Sequence, residues 1–218
     1  IVLPCDAVSS GSGGTALWMS RDNGKTWHDA GGTIAGIHAA VAQLSDGRLL
    51  AFGRGDEIEG MMPMSISDDM GATWTYSASV FPPVHTGQRP LLIKLKTGEL
   101  FFAAFSNDPN DESDRSRPKD WMHVTDRTGA RRPIRGLYCA LSLDDGKTWP
   151  FARPVSDDGP EHMIETMDGA FRPMSRSQSE PAGYICGFQG ADGMIHLASS
   201  RNHYVFNRAW LRQQPPPA

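Results

Sequence analysis

The sequence lacks the features that mark several common classes of protein. Its 218 residues include three cysteines, Cys5, Cys139 and Cys186, whose wide spacing fits neither a disulfide framework nor a metal site. No apolar run is long enough to cross a bilayer. The net charge of −4 and the pI near 6.0 argue against a nucleic-acid or anionic-membrane partner. We therefore expect a globular protein of one or two domains, with no metal, no cofactor, no nucleic-acid partner and no membrane partner.

What the sequence does contain is one eight-residue pattern repeated three times. The pattern S-x-D-x-G-x-T-W occupies residues 20–27, 67–74 and 142–149. Ser and Asp side chains can accept hydrogen bonds from backbone N–H groups, Gly tolerates a positive φ, and Thr-Trp begins the next strand. The pattern therefore predicts a β-hairpin turn. Its recurrence predicts a propeller, because each small sheet can bury its faces only against neighbouring sheets.

A second kind of hairpin signal lies between these octapeptides. A glycine-containing turn separates two apolar runs within residues 39–54, 91–105 and 184–199, which predicts strand, turn and strand in each. The spacing between octapeptides grows from 47 to 75 residues (67 − 20 and 142 − 67). The excess falls on the polar residues 106–133, which we predict to be a long surface loop.

The organisation predicted from these signals is part of a propeller over residues 1–212, followed by a Pro-rich tail over 213–218. Residues 203–211 are predicted to form the final strand. The hairpins amount to roughly three four-stranded blades, too few to close a ring of four to eight. Because the chain begins at Ile1 within an apolar run, we expect it to be part of a longer protein.

The octapeptide resembles the Asp box of the sialidase (neuraminidase) superfamily. The resemblance covers nearly the whole chain and corresponds to the C-terminal part of such an enzyme. It implies an all-β, six-bladed β-propeller of which this chain supplies roughly the last three blades or more. It also implies a glycoside hydrolase that removes a terminal sialic acid from a carbohydrate substrate without a cofactor. For a bacterial glycosidase of this kind, a secreted or periplasmic location is favoured.

The resemblance extends to individual residues. Residues 36–54 resemble a sialidase segment in which a Glu polarises the catalytic Tyr and an Arg, sixteen positions later, binds the sialic acid carboxylate. Arg54 stands at the Arg position, and His38 stands where the family has Glu. Arg135 is a looser match to the third arginine of the carboxylate-binding triad, because it lies one residue closer to the last octapeptide.

Further site residues follow from the same resemblance. Tyr184 lies eight residues before Asp192, as the catalytic Tyr of the family lies before its Asp-Gly turn. Asp6 ends a segment that resembles a strand end lining the substrate pocket, and Arg89 is another candidate for the substrate carboxylate. The general-acid Asp and the first triad Arg belong to segments upstream of Ile1. We therefore predict that these 218 residues are inactive alone.

The chemistry of the residues leaves alternatives open. Guanidinium groups match the geometry of a sugar carboxylate, and sialidases use Tyr as nucleophile. A phenol needs a neighbouring base at neutral pH, and His38 could supply it. A Tyr/His pair beside arginines equally suits proton abstraction next to a uronic acid carboxylate. A uronic-acid polysaccharide lyase or hydrolase, and a non-catalytic glycan-binding propeller, are therefore the alternatives. Glu180 and His203 are further site candidates.

Overall fold

The computed structural model describes residues 1–6, 13–84, 87–107 and 122–218, which are all-β apart from one short helix. The strands are β1 (Val2–Cys5), β2 (Gly14–Met19), β3 (His28–Ala35), β4 (Ile37–Gln43), β5 (Leu49–Arg54), β6 (Pro63–Ser67), β7 (Thr75–Ala78), β8 (Leu91–Lys94), β9 (Leu100–Ser106), β10 (His123–Thr125), β11 (Arg131–Pro133), β12 (Gly136–Ser142), β13 (Phe151–Pro154), β14 (His162–Glu165), β15 (Phe171–Met174), β16 (Cys186–Gln189), β17 (Ile195–Ala198) and β18 (His203–Phe206), and the helix is α1 (Arg208–Leu211).

Four antiparallel sheets of three or four strands follow one another along the described chain, and two further sheets are two-stranded hairpins, β10–β11 and β14–β15. The strand orders of the four larger sheets are β1-β2-β3, β4-β5-β6-β7, β8-β9-β12-β13 and β16-β17-β18. Strand β1 contacts β4, β4 contacts β8, and β8 contacts β16, so the sheets lie side by side in chain order. The two middle sheets have the four strands expected of a blade, and the first and last sheets have three. A side-by-side series is the arrangement that a propeller requires, and the six-bladed ring remains a prediction.

The three octapeptides form the predicted hairpin turns, each joining the last two strands of its sheet. In the second turn, the Ser67 hydroxyl oxygen accepts the Gly71 N–H at 2.7 Å, and Asp69 accepts both the N–H of Thr73 at 2.8 Å and its hydroxyl at 2.6 Å. The other two octapeptides repeat these bonds. Hydrogen bonds from Thr73 and Ser67 lower the pKa of Asp69 to about 2.

The octapeptide turns also pack one sheet against the next. Trp74 of the second turn is buried with Leu17 and Ile34 of the first sheet, whereas Trp27 of the first turn is 38% exposed. The glycine of the turn makes this approach possible. A Cβ on Gly146 would lie 2.7 Å from a methyl group of Leu50 in the preceding sheet. The glycine therefore meets two requirements, a positive φ and close contact between sheets.

An aromatic cluster forms the main junction between the second and third sheets. Phe52 of β5 and Phe102 of β9 meet edge to face at 5.0 Å between ring centroids. Phe81 stacks on Phe102 at 4.1 Å, and Trp149 of the third octapeptide contacts all three rings. The three phenylalanines are fully buried, and each buried aromatic of this size contributes about 1.5–3 kcal/mol.

The hairpins predicted from the glycine-containing turns are all present. They are β4–β5, β8–β9 and β16–β17, whose strands pair antiparallel. Gly47, Gly98 and Gly193 adopt φ values of 94°, 94° and 84° in the connecting turns. Other residues rarely adopt such positive φ values, which is why a glycine at this position indicates a hairpin turn.

Two hairpins were not predicted. The predicted loop over 106–133 contains the hairpin β10–β11, whose turn is built by Asp126, which accepts the N–H groups of Thr128 and Ala130. Residues 108–121 of that loop lie outside the described residues. The hairpin β14–β15 turns at Asp168 and Gly169. Both turns carry an Asp followed closely by Gly, so the signal was present in a polar context that obscured the short strands.

The predicted final strand over 203–211 is wrong in its second half. Strand β18 ends at Phe206, and α1 begins at Arg208. Asn207 is the N-cap, because its side-chain oxygen accepts the N–H of Trp210 at 2.8 Å. An Asn at the N-cap position accepts a hydrogen bond from a backbone N–H of the first helical turn, which has no partner within the helix. The tail is held to the body, since Arg132 donates to the carbonyl oxygen of Pro216 at 2.9 Å.

We predict that Gly146→Ala destabilises the protein more than Gly24→Ala. The two glycines share a positive φ, 83° and 86°. An alanine at either position should cost about 1–2 kcal/mol, because an L side chain is strained in this left-handed conformation. The new Cβ at Gly146 would also meet Leu50 at 2.7 Å, whereas at Gly24 the nearest atom is 3.8 Å away. Overpacking should add about 1–3 kcal/mol at Gly146. The measurement is urea unfolding of both variants, and equal losses would contradict the packing role.

Candidate functional site

The candidate site lies where strands of successive sheets begin or end, at the end of the β4–β5 hairpin opposite its turn. Asp6 follows β1, His38 lies at the start of β4, and Arg54 ends β5. Tyr184 lies two positions before the first residue of β16. In the β4–β5 hairpin, Ile37 pairs with Arg54 at this end. Residues far apart in the chain meet here because loops from adjacent sheets converge at strand ends.

His38 is held by both oxygens of Asp6. One oxygen accepts the backbone N–H of His38 at 2.6 Å, and the other lies 2.6 Å from its ring Nδ1. His38 has a φ of 51°, a left-handed conformation that is uncommon for residues other than glycine. Because the carboxylate is an acceptor, it places the ring proton on Nδ1 and leaves Nε2 as the basic nitrogen.

The backbone around His38, at the start of β4, is held in place by hydrogen bonds from neighbouring residues. The Thr15 hydroxyl donates to the carbonyl oxygen of Gly36 at 2.8 Å, and its oxygen accepts the N–H of Ala39 at 3.3 Å. The N–H of Gly36 donates to Asp56 at 2.9 Å. A Cβ on Gly53 would lie 1.9 Å from the carbonyl oxygen of Ala35. This close backbone packing of Gly53 against Ala35 holds the start of β4, which carries His38, in a defined position relative to Arg54.

Tyr184 and Arg54, 130 residues apart, are in direct contact. Arg54 Nη1 donates to the Tyr184 hydroxyl at 3.3 Å and to the carbonyl oxygen of Gln88 at 3.0 Å. The rings of His38 and Tyr184 meet edge to face, with centroids 5.5 Å apart and an interplanar angle of 87°. The side chain of Tyr184 is partly exposed, and its N–H donates to the Ser200 hydroxyl at 3.0 Å. The phenol is thus accessible and oriented.

The surroundings of His38 lower its pKa below 6.5. Burial is the largest cause, the positive charges of Arg54 and Arg89 act in the same direction, and Asp6 opposes them. The imidazole is therefore neutral at neutral pH and can act as a base. Arg89 precedes β8 and also lines a cavity of about 270 Å³ between β4, β8 and β16. The site thus combines a base with two guanidinium groups.

Arg135 is less closely associated with these residues. It immediately precedes β12, and its side chain is exposed. Its N–H donates to the carbonyl oxygen of Ser177, and its carbonyl oxygen accepts the N–H of Ser179. Its main-chain partners therefore belong to residues 177–179, which lead toward Tyr184 but are not part of the contacts among Asp6, His38, Arg54 and Tyr184.

The structure adds two residues whose place in the site was not predicted, Gln88 and Asn107. Both are buried, and their side-chain amides are hydrogen-bonded to each other. No local motif reveals such a pair, because the two residues lie 19 positions apart on either side of a hairpin.

Glu180 is buried directly before the segment that carries Tyr184, and its side chain accepts the Ser199 hydroxyl at 2.6 Å and the Tyr204 hydroxyl at 3.0 Å. Burial, together with the nearby carboxylate, raises the pKa of Tyr204. His203, the other further candidate, lies in β18 with its Nε2 3.1 Å from Nδ1 of His196. The other carboxylate oxygen of Glu180, Oε1, is buried without a hydrogen-bond partner among the described residues.

Across the described ranges, no three or more His, Cys, Asp or Glu side chains are grouped so that they could hold a metal ion. Within the same residues, no helix has the length and apolar character needed to cross a membrane.

No protein-family model matches this sequence, and none of the curated proteins matches it. Thirty-one chains of solved structures resemble it. One is a protein of unknown function from Dyadobacter fermentans DSM 18053, with a TM-score of 0.52 and 13% identity over 94% of this chain. This likeness supports a shared fold. The present chain spans 48% of the length of that protein.

Two further neighbours are enzymes. A mutant of Trypanosoma rangeli sialidase displaying trans-sialidase activity gives a TM-score of 0.49 at 15% identity, covering 91% of this chain and 28% of the sialidase. The GH93 α-L-arabinofuranosidase of Fusarium graminearum gives a TM-score of 0.42 at 12% identity, covering 92% of this chain and 70% of the enzyme. Likenesses this weak do not identify a reaction for this chain.

We predict that the pKa of His38 responds in opposite directions to its two kinds of neighbour. Arg54→Met removes a positive charge and should raise the pKa toward 6.5, whereas Asp6→Asn removes a negative charge and should lower it further. The measurement is an NMR titration of the His38 ring protons in each variant. The ring signals of the exposed His28, which lies in β3, are the internal control and should be the same in all three proteins. Shifts of the same sign in both variants would contradict the geometry.

Proposed function

We propose that the chain belongs to a sialidase-like exo-glycosidase that hydrolyses a terminal anionic sugar, sialic acid, from glycoconjugates. The observation that carries the proposal is the contact between the Tyr184 hydroxyl and Arg54 Nη1 at 3.3 Å, beside the His38 ring. The resemblance to the sialidase superfamily assigns these three positions to the nucleophile, a carboxylate-binding arginine and the residue that activates the nucleophile. They meet although Tyr184 lies 130 positions from Arg54 in the sequence, on a segment remote from the β4–β5 hairpin that carries the other two.

The arginines have the role of holding the carboxylate of the substrate. Arg54 and Arg89 both place positive charge near His38, so a bound carboxylate would lie between the base and the guanidinium groups. Planar guanidinium groups match a carboxylate with two parallel hydrogen bonds, which orient the sugar as well as bind it. Arg135 is the third carboxylate-binding arginine in this proposal. It lies before β12, at the same end of the third sheet as Arg89, which lies before β8.

Tyr184 acts as the nucleophile and His38 as its base. The phenolic proton passes to His38 Nε2 as the phenolate oxygen bonds to the anomeric carbon and the bond to the departing alcohol breaks. The alcohol takes a proton from a general acid, which is an Asp in the superfamily that the chain resembles. A water molecule then attacks the anomeric carbon, and the bond from that carbon to the Tyr184 oxygen breaks. The water gives its proton to the carboxylate that the general acid has become, and the released phenolate recovers its proton from His38. A phenol avoids the charge repulsion that a carboxylate nucleophile would meet.

Asp6 takes a different role from the predicted contact with substrate. Both of its oxygens are engaged by His38, one with the backbone and one with the ring. We assign it as the group that orients the imidazole and stabilises its charged form when the proton arrives. The left-handed backbone of His38 fits this role, because strained conformations are kept where geometry serves a site.

A second function is favoured by the Asp6–His38 contact itself. An oriented imidazole with a lowered pKa, flanked by Arg54 and Arg89, is suited to abstract a proton next to a uronic acid carboxylate. The arginines would stabilise the negative charge that develops on that carboxylate. The substrate of this alternative is a uronic-acid polysaccharide, and Tyr184 would then act as acid rather than as nucleophile.

We predict that, in the full-length protein, His38→Ala and Tyr184→Phe lower kcat on a fluorogenic sialoside by about 10²–10⁴-fold. Arg54→Ala should raise KM as well, since it removes a charge-assisted bond to the carboxylate. Tyr76→Phe is the matched control, because Tyr76 donates to the Thr33 carbonyl oxygen in the first sheet and should leave kcat unchanged.

The same variants on a uronate oligosaccharide separate the two functions. Turnover of the sialoside alone, lost in Tyr184→Phe, supports the glycosidase. Turnover of the uronate alone supports the alternative. Binding of either sugar without turnover, unaffected by His38→Ala, would remove His38 from any mechanism and favour a glycan-binding module.

We predict an acid limb in the pH dependence of kcat/KM for the full-length protein, with an apparent pKa below 6.5. His38 must be neutral to accept the phenolic proton, so the rate falls as pH drops through its lowered pKa. Asp6 raises this pKa, so Asp6→Asn should move the limb to lower pH while also lowering the plateau. The measurement is kcat/KM against pH for both proteins. A limb that moves to higher pH in Asp6→Asn would contradict the assignment.

A further inference from the structure

Gln88 is a buried amide, 3% exposed, in the segment between β7 and β8. Its side-chain Nε2 donates to the Asn107 side-chain oxygen, and Asn107 Nδ2 donates back to Gln88 Oε1 at 3.2 Å. Asn107, 4% exposed, follows directly after β9. Nε2 of Gln88 also reaches the carbonyl oxygen of Pro181 at 3.4 Å. The two amides therefore join the start of the β8–β9 hairpin to its end.

The main chain of Gln88 touches the segments that carry the site. Its carbonyl oxygen accepts Arg54 Nη1 at 3.0 Å, the same nitrogen that reaches Tyr184. Gln88 forms an isolated parallel bridge with Gly183, which immediately precedes Tyr184. The buried Gln88 thus contacts Arg54 and Gly183. It is also the residue directly before Arg89 in the sequence.

We propose that Gln88, held by its amide pair with Asn107, is a positioning residue that sets Arg54 against Tyr184. Arginine is a long side chain with several rotatable bonds, so its guanidinium needs a fixed acceptor to stay at one place. The main-chain carbonyl oxygen of Gln88 is that acceptor. The buried side chain of Gln88, hydrogen-bonded to Asn107, fixes the direction in which this carbonyl points. Gln88 does not touch the sugar in this proposal. Its consequence for catalysis rests on the proposed function, whereas its effect on Arg54 does not.

The test is the double variant Gln88→Met/Asn107→Leu. A single substitution would leave a buried amide without its partner, which typically costs about 1–3 kcal/mol, whereas replacing both partners by apolar side chains of similar shape can be nearly neutral. The double variant therefore removes the amide pair with the best prospect of keeping the fold. If it does not fold, Gln88→Asn shortens the side chain, keeps its polarity and tests the same contact.

The readout is the pKa of His38, measured by NMR titration without any substrate. Arg54 and Arg89 lower this pKa, so their displacement should raise it toward 6.5. In the full-length protein, kcat on the sialoside should fall by about 10-fold to 10²-fold with the overall fold retained, because small misplacements of binding groups are costly. A folded double variant with the His38 pKa and kcat of the unchanged protein would overturn the proposal.

The matched control is Gln189→Met. Gln189 also uses its side chain to hold a hairpin, donating to the Gly193 carbonyl oxygen at 3.0 Å and accepting the Lys96 N–H at 2.7 Å, but it does so at the turn end of β16–β17. It should lower stability and leave the His38 pKa in place. An equal shift in Gln189→Met would reduce Gln88 to a general structural role. If His38 shifts only in the Gln88 variants while no sugar is hydrolysed, the positioning role stands and the proposed function fails.

Discussion

Close contact between successive sheets at the octapeptide turns is the constraint on which the other features of this structure depend. A three- or four-stranded sheet has two faces and too few residues to cover either, so it must bury them against neighbouring sheets. The octapeptide makes this contact at the outer strands, where Gly146 lies against Leu50 and Trp149 enters the aromatic cluster around Phe52. Side-chain hydrogen bonds from Ser and Asp keep the turn rigid enough to do so.

The candidate site follows from the same arrangement. Because the sheets lie side by side, their strand ends come together at the end of the β4–β5 hairpin opposite its turn. These strand ends carry the polar residues of the site. Asp6 from the first sheet reaches His38 at the start of the second, and Arg54 from the second reaches Tyr184 at the entrance to the fourth. The site therefore lies between sheets rather than within one. This explains why its geometry depends on buried connecting residues such as Gln88 as much as on the exposed side chains.

Electrostatics in the site is a balance between opposing neighbours. Burial and two guanidinium groups keep His38 neutral, while Asp6 favours its protonated form and holds the ring in one orientation. A base needs both properties, since it must be unprotonated at rest and stabilised after it takes a proton. The same positive charges that lower the pKa of His38 are suited to bind an anionic sugar, so one pair of arginines would serve both purposes.

The sequence alone determined the elements whose signals are local. The octapeptide turns, the glycine-containing hairpins and the all-β class could be predicted because Asp, Gly and alternating apolar residues act within a few positions of one another. The Asn207 cap and the Asp126 turn were equally local but stood beside short or polar strands that hid them. The contacts of His38 with Asp6 and of Arg54 with Tyr184 were decided by tertiary structure, as was the Gln88–Asn107 pair. They join residues 19 to 130 positions apart, and only the packing of sheets sets such distances.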